Sequence, residues 1–237
     1  RTVFEDSKGH LLIGTYIGIQ MYDPATDNFT PLAKLEDTGE TLESNINSFI
    51  ERKNGEIWVS GNVLCKLDIK DHLLTVRKVD IAVTSPGSLF EDKKQNVWMA
   101  KGEEGVYQLT PDNQLTLHLS KDNGYVKSIC EDQRGNIYVG SIRKGLFIYD
   151  KERKTFVPVD LKEKGELPVC FLYSGIPNEL YIGTDGKGVA IYNIRTHEIS
   201  EYKFDNNYFD SGNSKIHSIL KDNSGNLWLA VYQKGVI

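Results

Sequence analysis

Apolar residues in this chain gather in runs of three to five between short polar stretches rich in Gly, Asn and Asp, with no sustained three-and-four spacing. Such runs predict strands, and the missing helical period predicts almost no helix. The runs also recur as a phrase: apolar residues, an acidic residue, a turn, then an apolar-aromatic-apolar triplet. The copies read FEDSKGHLLIGT from Phe4, IERKNGEIWVSG from Ile50, FEDKKQNVWMAK from Phe90, CEDQRGNIYVGS from Cys130, a degenerate FLYSGIPNELYIGT from Phe171, and LKDNSGNLWLAV from Leu220. Their turn positions, Gly9, Gly55, Gln95, Gly135, Asn178 and Gly225, lie 46, 40, 40, 43 and 47 residues apart. A period of about 40 to 45 residues carrying four strands is that of a propeller blade. A sandwich has evenly spaced strands too, but no need for one phrase to return. The fold class is read as all-β, a β-propeller of four-stranded antiparallel blades, with repeats at about 1–45, 46–86, 87–125, 126–168, 169–213 and 214–237.

Each part of the phrase has a task. In Asp6-Ser-Lys-Gly9, Asp132-Gln-Arg-Gly135 and Asp222-Asn-Ser-Gly225 an Asp opens a tight turn and Gly closes it, joining strand A to strand B. Ile57-Trp58-Val59, Val97-Trp98-Met99, Ile137-Tyr138-Val139 and Leu227-Trp228-Leu229 are apolar at consecutive positions, as in strands covered on both faces. The aromatic at this place, including Tyr181 in the fifth repeat, is therefore read as core. A small residue follows each triplet, namely Gly14, Ser60, Ala100, Gly140, Gly183 or Ala230, where another chain segment must come close. Strand C follows, as in Gly145-Leu-Phe-Ile-Tyr-Asp150, and a more polar strand D begins at Asn28, Thr155 and Glu198.

Composition narrows the function classes. The net charge of -5 and the scattered basic residues speak against a general nucleic-acid binder. No apolar run approaches the roughly 20 residues of a membrane span, and no leader pattern is present, so any membrane link is expected through a longer parent chain. Cys65, Cys130 and Cys170 match neither a zinc nor a CxxC redox spacing and read as small buried residues. The five histidines, His10, His72, His118, His197 and His217, fall at unrelated repeat positions and read as solvated or locally bonded. No catalytic constellation, metal site or cofactor motif is predicted.

Ligand contacts in a propeller belong where side chains escape the repeat, in the B to C and D to A loops at one end of the blades. The B to C loops hold Tyr16, Lys101-Gly-Glu-Glu104, Ile142-Arg-Lys144, Asp185-Gly-Lys187 and Tyr232-Gln-Lys234, and the D to A stretch 206–210 adds Tyr208. Aromatic faces suit sugar rings, and charged groups suit hydroxyls or acidic substituents. The candidate ligand-binding residues are Tyr16, Tyr208 and Tyr232 for stacking or hydrogen bonding, with Arg143, Asp185 and Lys187 to orient a polar or acidic glycan.

The segment Glu131-Asp-Gln-Arg-Gly-Asn-Ile-Tyr-Val-Gly-Ser141 through Gly145-Leu-Phe-Ile-Tyr-Asp150 resembles the propeller repeat of two-component regulators. Leu42-Glu-Ser-Asn-Ile-Asn-Ser-Phe49 and Gly212-Asn-Ser-Lys-Ile-His-Ser-Ile219 are similar to that family's approach to strand A. The resemblance implies the periplasmic sensor of a hybrid histidine kinase of glycan-utilising gut bacteria, with an oligosaccharide as signal and polysaccharide-utilisation genes as output. It implies further blades and a downstream β-sandwich in the same parent chain, a homodimer of the full sensor, and rings of seven blades. By alignment Arg1 sits where Asn47 sits in the next repeat, and Gly235-Val-Ile237 opens a strand C. The expectation is thus about five and a half blades, a fragment of a seven-bladed ring. The alternatives are a protein-interaction or dimerisation scaffold and a carbohydrate-active propeller enzyme. For a sialidase-like enzyme, only Arg143 stands in the B to C loops where an arginine cluster would be needed.

Overall fold

The computed structural model describes residues 2–119, 124–161, 167–204, 213–222 and 224–237. The elements are all strands. The first sheet holds β1 (Thr2–Glu5), β2 (Leu11–Gly14), β3 (Ile19–Asp23) and β4 (Asn28–Phe29). The second joins β5 (Lys34–Leu35) to β6 (Ser48–Glu51), β7 (Ile57–Ser60), β8 (Leu64–Lys70) and β9 (Leu73–Lys78), in the order β5-β9-β8-β7-β6. The third takes β10 (Leu89–Glu91), β11 (Val97–Lys101), β12 (Gly105–Leu109) and β13 (Leu115–Leu119). The fourth is β14 (Val126–Glu131), β15 (Ile137–Ser141), β16 (Gly145–Asp150) and β17 (Thr155–Pro158). The fifth is β18 (Val169–Ile176), β19 (Glu179–Thr184), β20 (Val189–Asn193) and β21 (Ile199–Glu201), and the sixth β22 (Ile216–Lys221), β23 (Leu227–Val231) and β24 (Gly235–Val236). This is a propeller architecture of six blades, which corrects the reading of five and a half: the last blade is a sheet in its own right, of three strands. The blades fall into two compact units, residues 1–99 with 109–115, and residues 100–108 with 116–237.

One strand escaped the sequence reading. Within the first unit β5 leaves the first blade's linker and pairs parallel with β9, Lys34 opposite Thr75 and Leu35 opposite Val76, so β9 is not the outermost strand of its blade. Two residues are too short for a hydrophobic period to register.

Blades pack through the positions the phrase keeps apolar. In the first unit Leu12, Ile19, Ile46, Phe49, Val59 and Val76 share one core. In the second, Tyr138, Leu146, Val169, Leu180 and Tyr192 share another, and Tyr181 packs with Ile216, Ile219 and Leu229. The small residue after the triplet is explained by the next inner strand. A Cβ at Gly14 would meet Ile46, one at Gly140 Val169, and one at Gly183 Ile216. Trp228 departs from the expected core role at 47% exposed, against 1% for Trp98 and Tyr138. It sits in the sixth sheet, and the fifth-sheet residues that bury Tyr138 have no counterpart over Trp228 among the described residues.

The Asp of the turn is structural, as its position predicts. Asp92 Oδ1 accepts from the backbone N–H groups of Lys94 and Asn96 at 2.8 and 2.9 Å, and Oδ2 from Asn96 Nδ2 and Trp98 Nε1, both at 2.8 Å. Asp132 and Asp222 hold the same kind of lock, the latter closing on Trp228 Nε1 at 2.8 Å. Those donors, Trp228 first, hold the Asp222 carboxyl down at about 2. The turn residue itself is left-handed in every blade, with φ of 83°, 81°, 65°, 79°, 63° and 92° at Gly9, Gly55, Gln95, Gly135, Asn178 and Gly225. The second blade carries Arg52, and the fifth Gly175, where the other four have Asp. In the second, Trp58 Nε1 donates instead to Glu56, which also pairs with Lys66 at 2.6 Å, while Arg52 lies 4.5 Å from the Trp58 ring centre and bonds Glu91 at 2.8 Å. Burial would raise the Glu56 carboxyl, but Lys66, Trp58 and Asn54 outweigh it and hold it at about 2.

The three cysteines are buried and unpaired with one another. Burial pushes the Cys65 thiol up to about 11 and Cys130 to about 12, and raises Cys170 as well. The thiolate is the reactive form. The folded protein should therefore resist iodoacetamide at pH 8 and take up three adducts once unfolded in urea. Rapid labelling of the native state, read by intact mass, would contradict the buried placement.

Candidate functional site

Strand direction puts the B to C loops and the D to A approaches at one end of each blade. In the first unit that end carries Tyr16, at the tip of the β2–β3 loop. Thr15 shapes this tip, its hydroxyl donating to the Gly18 carbonyl at 3.0 Å and accepting from the Ile17 N–H at 3.1 Å. Tyr16 and Ile17 stand 73% and 62% exposed. The same end holds a shallow cleft of about 670 Å³ lined by Glu40, Leu42, Ser44, Asn62, Val63 and Lys78 among others. Asn62 donates its backbone N–H to Ser44 Oγ at 2.9 Å, tying the second blade's B to C loop to the incoming linker. Sequence reasoning passed over this cleft because Gly61-Asn62-Val63 offers neither charge nor ring.

In the second unit the structure brings Asp185 and Tyr232 to one cluster, around two residues not singled out from sequence, Lys215 and His217. Lys215 Nζ lies 2.6 Å from Asp185 Oδ2, and the two residues also form a β-bridge. The Tyr232 backbone N–H donates to the Lys215 carbonyl at 3.0 Å, and its ring lies 5.6 Å from the His217 ring. The hydrogen bond to Asp185 raises the Lys215 ammonium above its ordinary value, against a smaller opposing effect of burial. His217 is pulled below its ordinary value, first by burial and then by Lys127 and Lys215, with Asp185 opposing. His217 is exposed, in line with the expectation of a solvated histidine, and its ring stands beside Tyr232. Lys187 is on the Asp185 loop, its backbone N–H donating to Thr184 Oγ1 at 2.9 Å. Arg143 pairs with Glu103 at 3.4 Å on an exposed surface, a contact that orients it without immobilising it. Tyr208 lies outside the described residues.

A recurring irregularity aims this cluster. On β14 the register jumps between Val126 and Ser128, on β18 between Val169 and Phe171, and on β22 between Ile216 and Ser218. Each jump is a β-bulge that leaves one residue without a ladder partner: Lys127, Cys170 and His217. Bulges bend a strand and re-aim the extra side chain. The signal was present in the sequence, at the same place in three consecutive repeats, but Lys, Cys and His share no chemistry that would mark it as a pattern.

Comparison with known proteins gives two kinds of match. The family model for the two component regulator propeller matches residues 120–143 and 210–233. These stretches contain the bulges of the fourth and sixth blades. No curated protein matches the chain in sequence. Among solved structures, the extracellular domain of a protein named as a hybrid two component system of B. thetaiotaomicron is similar, with TM-score 0.79, 19% identity and 99% of this chain covered. The chain spans 32% of that domain's length. Virginiamycin B lyase from Staphylococcus aureus is similar at TM-score 0.74 and 12% identity, covering 99% of this chain and 78% of the lyase. PorZ, a bacterial surface component of the type-IX secretion system of Porphyromonas gingivalis, gives 0.74 and 14%, with 99% and 37% covered. At such identities the likeness is one of fold, and the fold is shared by a two component system domain, a lyase and a secretion component alike.

Proposed function

We propose that this chain, which carries the two component regulator propeller repeat, is part of the extracytoplasmic sensor of a hybrid two-component histidine kinase. The signal is an oligosaccharide met in the periplasm, and the output is transcription of polysaccharide-utilisation genes. The observation that carries this reading is the contrast between the two ends of the blades. The A to B turns are tied into locks at Asp92, Asp132 and Asp222, whereas the B to C loops break the repeat with Tyr16, Arg143, Asp185, Lys187 and Tyr232. In a sensor of this kind, binding shifts the population of a signalling arrangement, so the ligand must contact one arrangement better than the other. Further blades completing a seven-bladed ring, a downstream β-sandwich and dimerisation of the parent belong to the same proposal.

A thermal-shift screen of the protein against oligosaccharides tests the reading, because a ligand that prefers the folded state raises apparent stability, by about 2.7 kcal/mol at a hundredfold excess over Kd. A selective upward shift is expected for one glycan class. No shift with any glycan, together with concentration-dependent self-association, would favour an interaction scaffold instead. Turnover of a glycan by the purified protein would replace the sensor reading with an enzyme.

A further inference from the structure

We infer that the inner-strand bulges and adjoining loops of the fourth to sixth blades form a binding site for an oxyanion, a carboxylate or sulfate group carried by the ligand. The inference rests on the sensor reading only for the anion being part of an oligosaccharide.

Three observations converge on it. The bulges at Lys127, Cys170 and His217 repeat at one level of three successive inner strands, which places two nitrogen-bearing side chains and a thiol at that level. Cys170 is 2% exposed and its thiol is raised by burial, so it adds bulk without charge. Next, charge is segregated. Among the described residues at the bulges and in the adjoining B to C loops, this end presents Lys127, Arg143, Lys144, Lys187, Lys215 and Lys234 against Asp185 and against Glu103, which pairs with Arg143, in a chain whose net charge is -5. A cationic face on an anionic protein attracts anions selectively. Finally, Lys215 is held in place. Asp185 binds its ammonium at 2.6 Å, and an ammonium has three N–H donors, so one bond fixes the group and leaves the remaining valence directed elsewhere. Asp185 is accordingly a positioning residue in this site.

The groups acting on His217 are Lys127 from β14, Asp185 from the β19–β20 loop, Lys215 on its own segment and Tyr232 from the β23–β24 loop, and Cys170 from β18 neighbours Lys127, Lys215 and Asp185. Two lysines and burial favour the neutral ring. An oxyanion seated between the lysines cancels their repulsion and favours the protonated ring, so binding takes up a proton. By linkage, affinity for the anion rises as pH falls, by up to about tenfold per pH unit across the interval where His217 is protonated only in the complex.

The test is calorimetric titration of the protein with tetragalacturonate, glucose 6-sulfate, inorganic sulfate and neutral maltotetraose, each at pH 8 and pH 6, alongside an NMR titration of the His217 ring. Binding of a carboxylated or sulfated probe is expected, tighter at pH 6, with the His217 pKa raised in the complex. Lys127→Met and Lys215→Met should each weaken it by about ten- to a hundredfold, and His217→Gln should abolish the pH dependence while leaving binding at pH 8. The tetragalacturonate and glucose 6-sulfate arms separate carboxylate from sulfate. Inorganic sulfate bound at these residues with no sugar bound keeps the anion site and removes the oligosaccharide reading. Maltotetraose bound as well as the charged probes, with both lysine variants silent, overturns the anion site and leaves the sensor reading standing. Silence toward every probe overturns both.

Discussion

Gly140→Ala is expected to destabilise the protein by about 1–3 kcal/mol, and its thermal midpoint should fall by roughly 2–4 °C for each kcal/mol. Gly140 follows the buried triplet of β15, where a Cβ would come within 3.0 Å of Val169 Cβ and 3.5 Å of Leu172 Cγ, and closer still to Val169 Cγ1. Neither neighbour can retreat, since Val169 is fully buried and Leu172 is 4% exposed in the core of the fourth and fifth blades. The control is another glycine of the same blade. Gly135 has φ of 79°, but Gln95 and Asn178 hold the equivalent turn position at 65° and 63° without glycine. Gly135→Asn should therefore cost under about 1 kcal/mol, because Asn tolerates the left-handed region. Equal losses from both variants in thermal melts would show that backbone freedom, and not the approach of Val169, is what the glycines supply.

Asp92→Ala should cost about 3 kcal/mol or more, as charged hydrogen bonds contribute roughly 1.5–3 kcal/mol each and their buried donors are left unsatisfied. Asp92 is 4% exposed and Trp98, one of its donors, 1%. Asp92→Asn should rescue little. Whichever way the amide turns, its NH2 faces either Asn96 Nδ2 and Trp98 Nε1 or the backbone N–H groups of Lys94 and Asn96, all of them donors. Asp222 makes the same four contacts beside a half-exposed Trp228. Water can replace a lost partner there, so Asp222→Ala should cost less. Urea midpoints for the two variants would decide it, and equal losses would mean that burial does not set the strength of the lock.

Most of the blade was legible because its causes are local or return with every repeat. The Asp-to-Gly turn follows from a requirement met within a dozen residues, and the apolar triplet and the small residue after it meet the same kind of neighbour in successive blades, as Gly14 meets Ile46, Gly140 Val169 and Gly183 Ile216. What stayed hidden depends on other blades. Trp228 carries the same signal as Trp98, and only the neighbouring sheet decides which is covered. Of the residues in the proposed site, only some were legible. Asp185 and Tyr232 stood out as residues that break the repeat, but Lys215 and His217 lie in what reads as an ordinary approach to strand A. The place of His217 comes from a register jump in the pairing of β22 with β23, and that of Lys215 from its bridge to Asp185, and neither follows from composition.

The parallel strand β5 also bears on how the chain assembles during synthesis. Lys34 and Leu35 leave the ribosome well before their partners Thr75 and Val76, roughly forty residues later. Until the β8–β9 hairpin arrives, β5 can pair only with the segment just after it, Lys34 with Thr41 and Leu35 with Glu40, while its other edge stays open. When it docks, the loop it closes staples the first blade's linker to the edge of the second. The first blade can thus be complete while its outgoing linker is still waiting, and the two blades are secured together only after the second has formed.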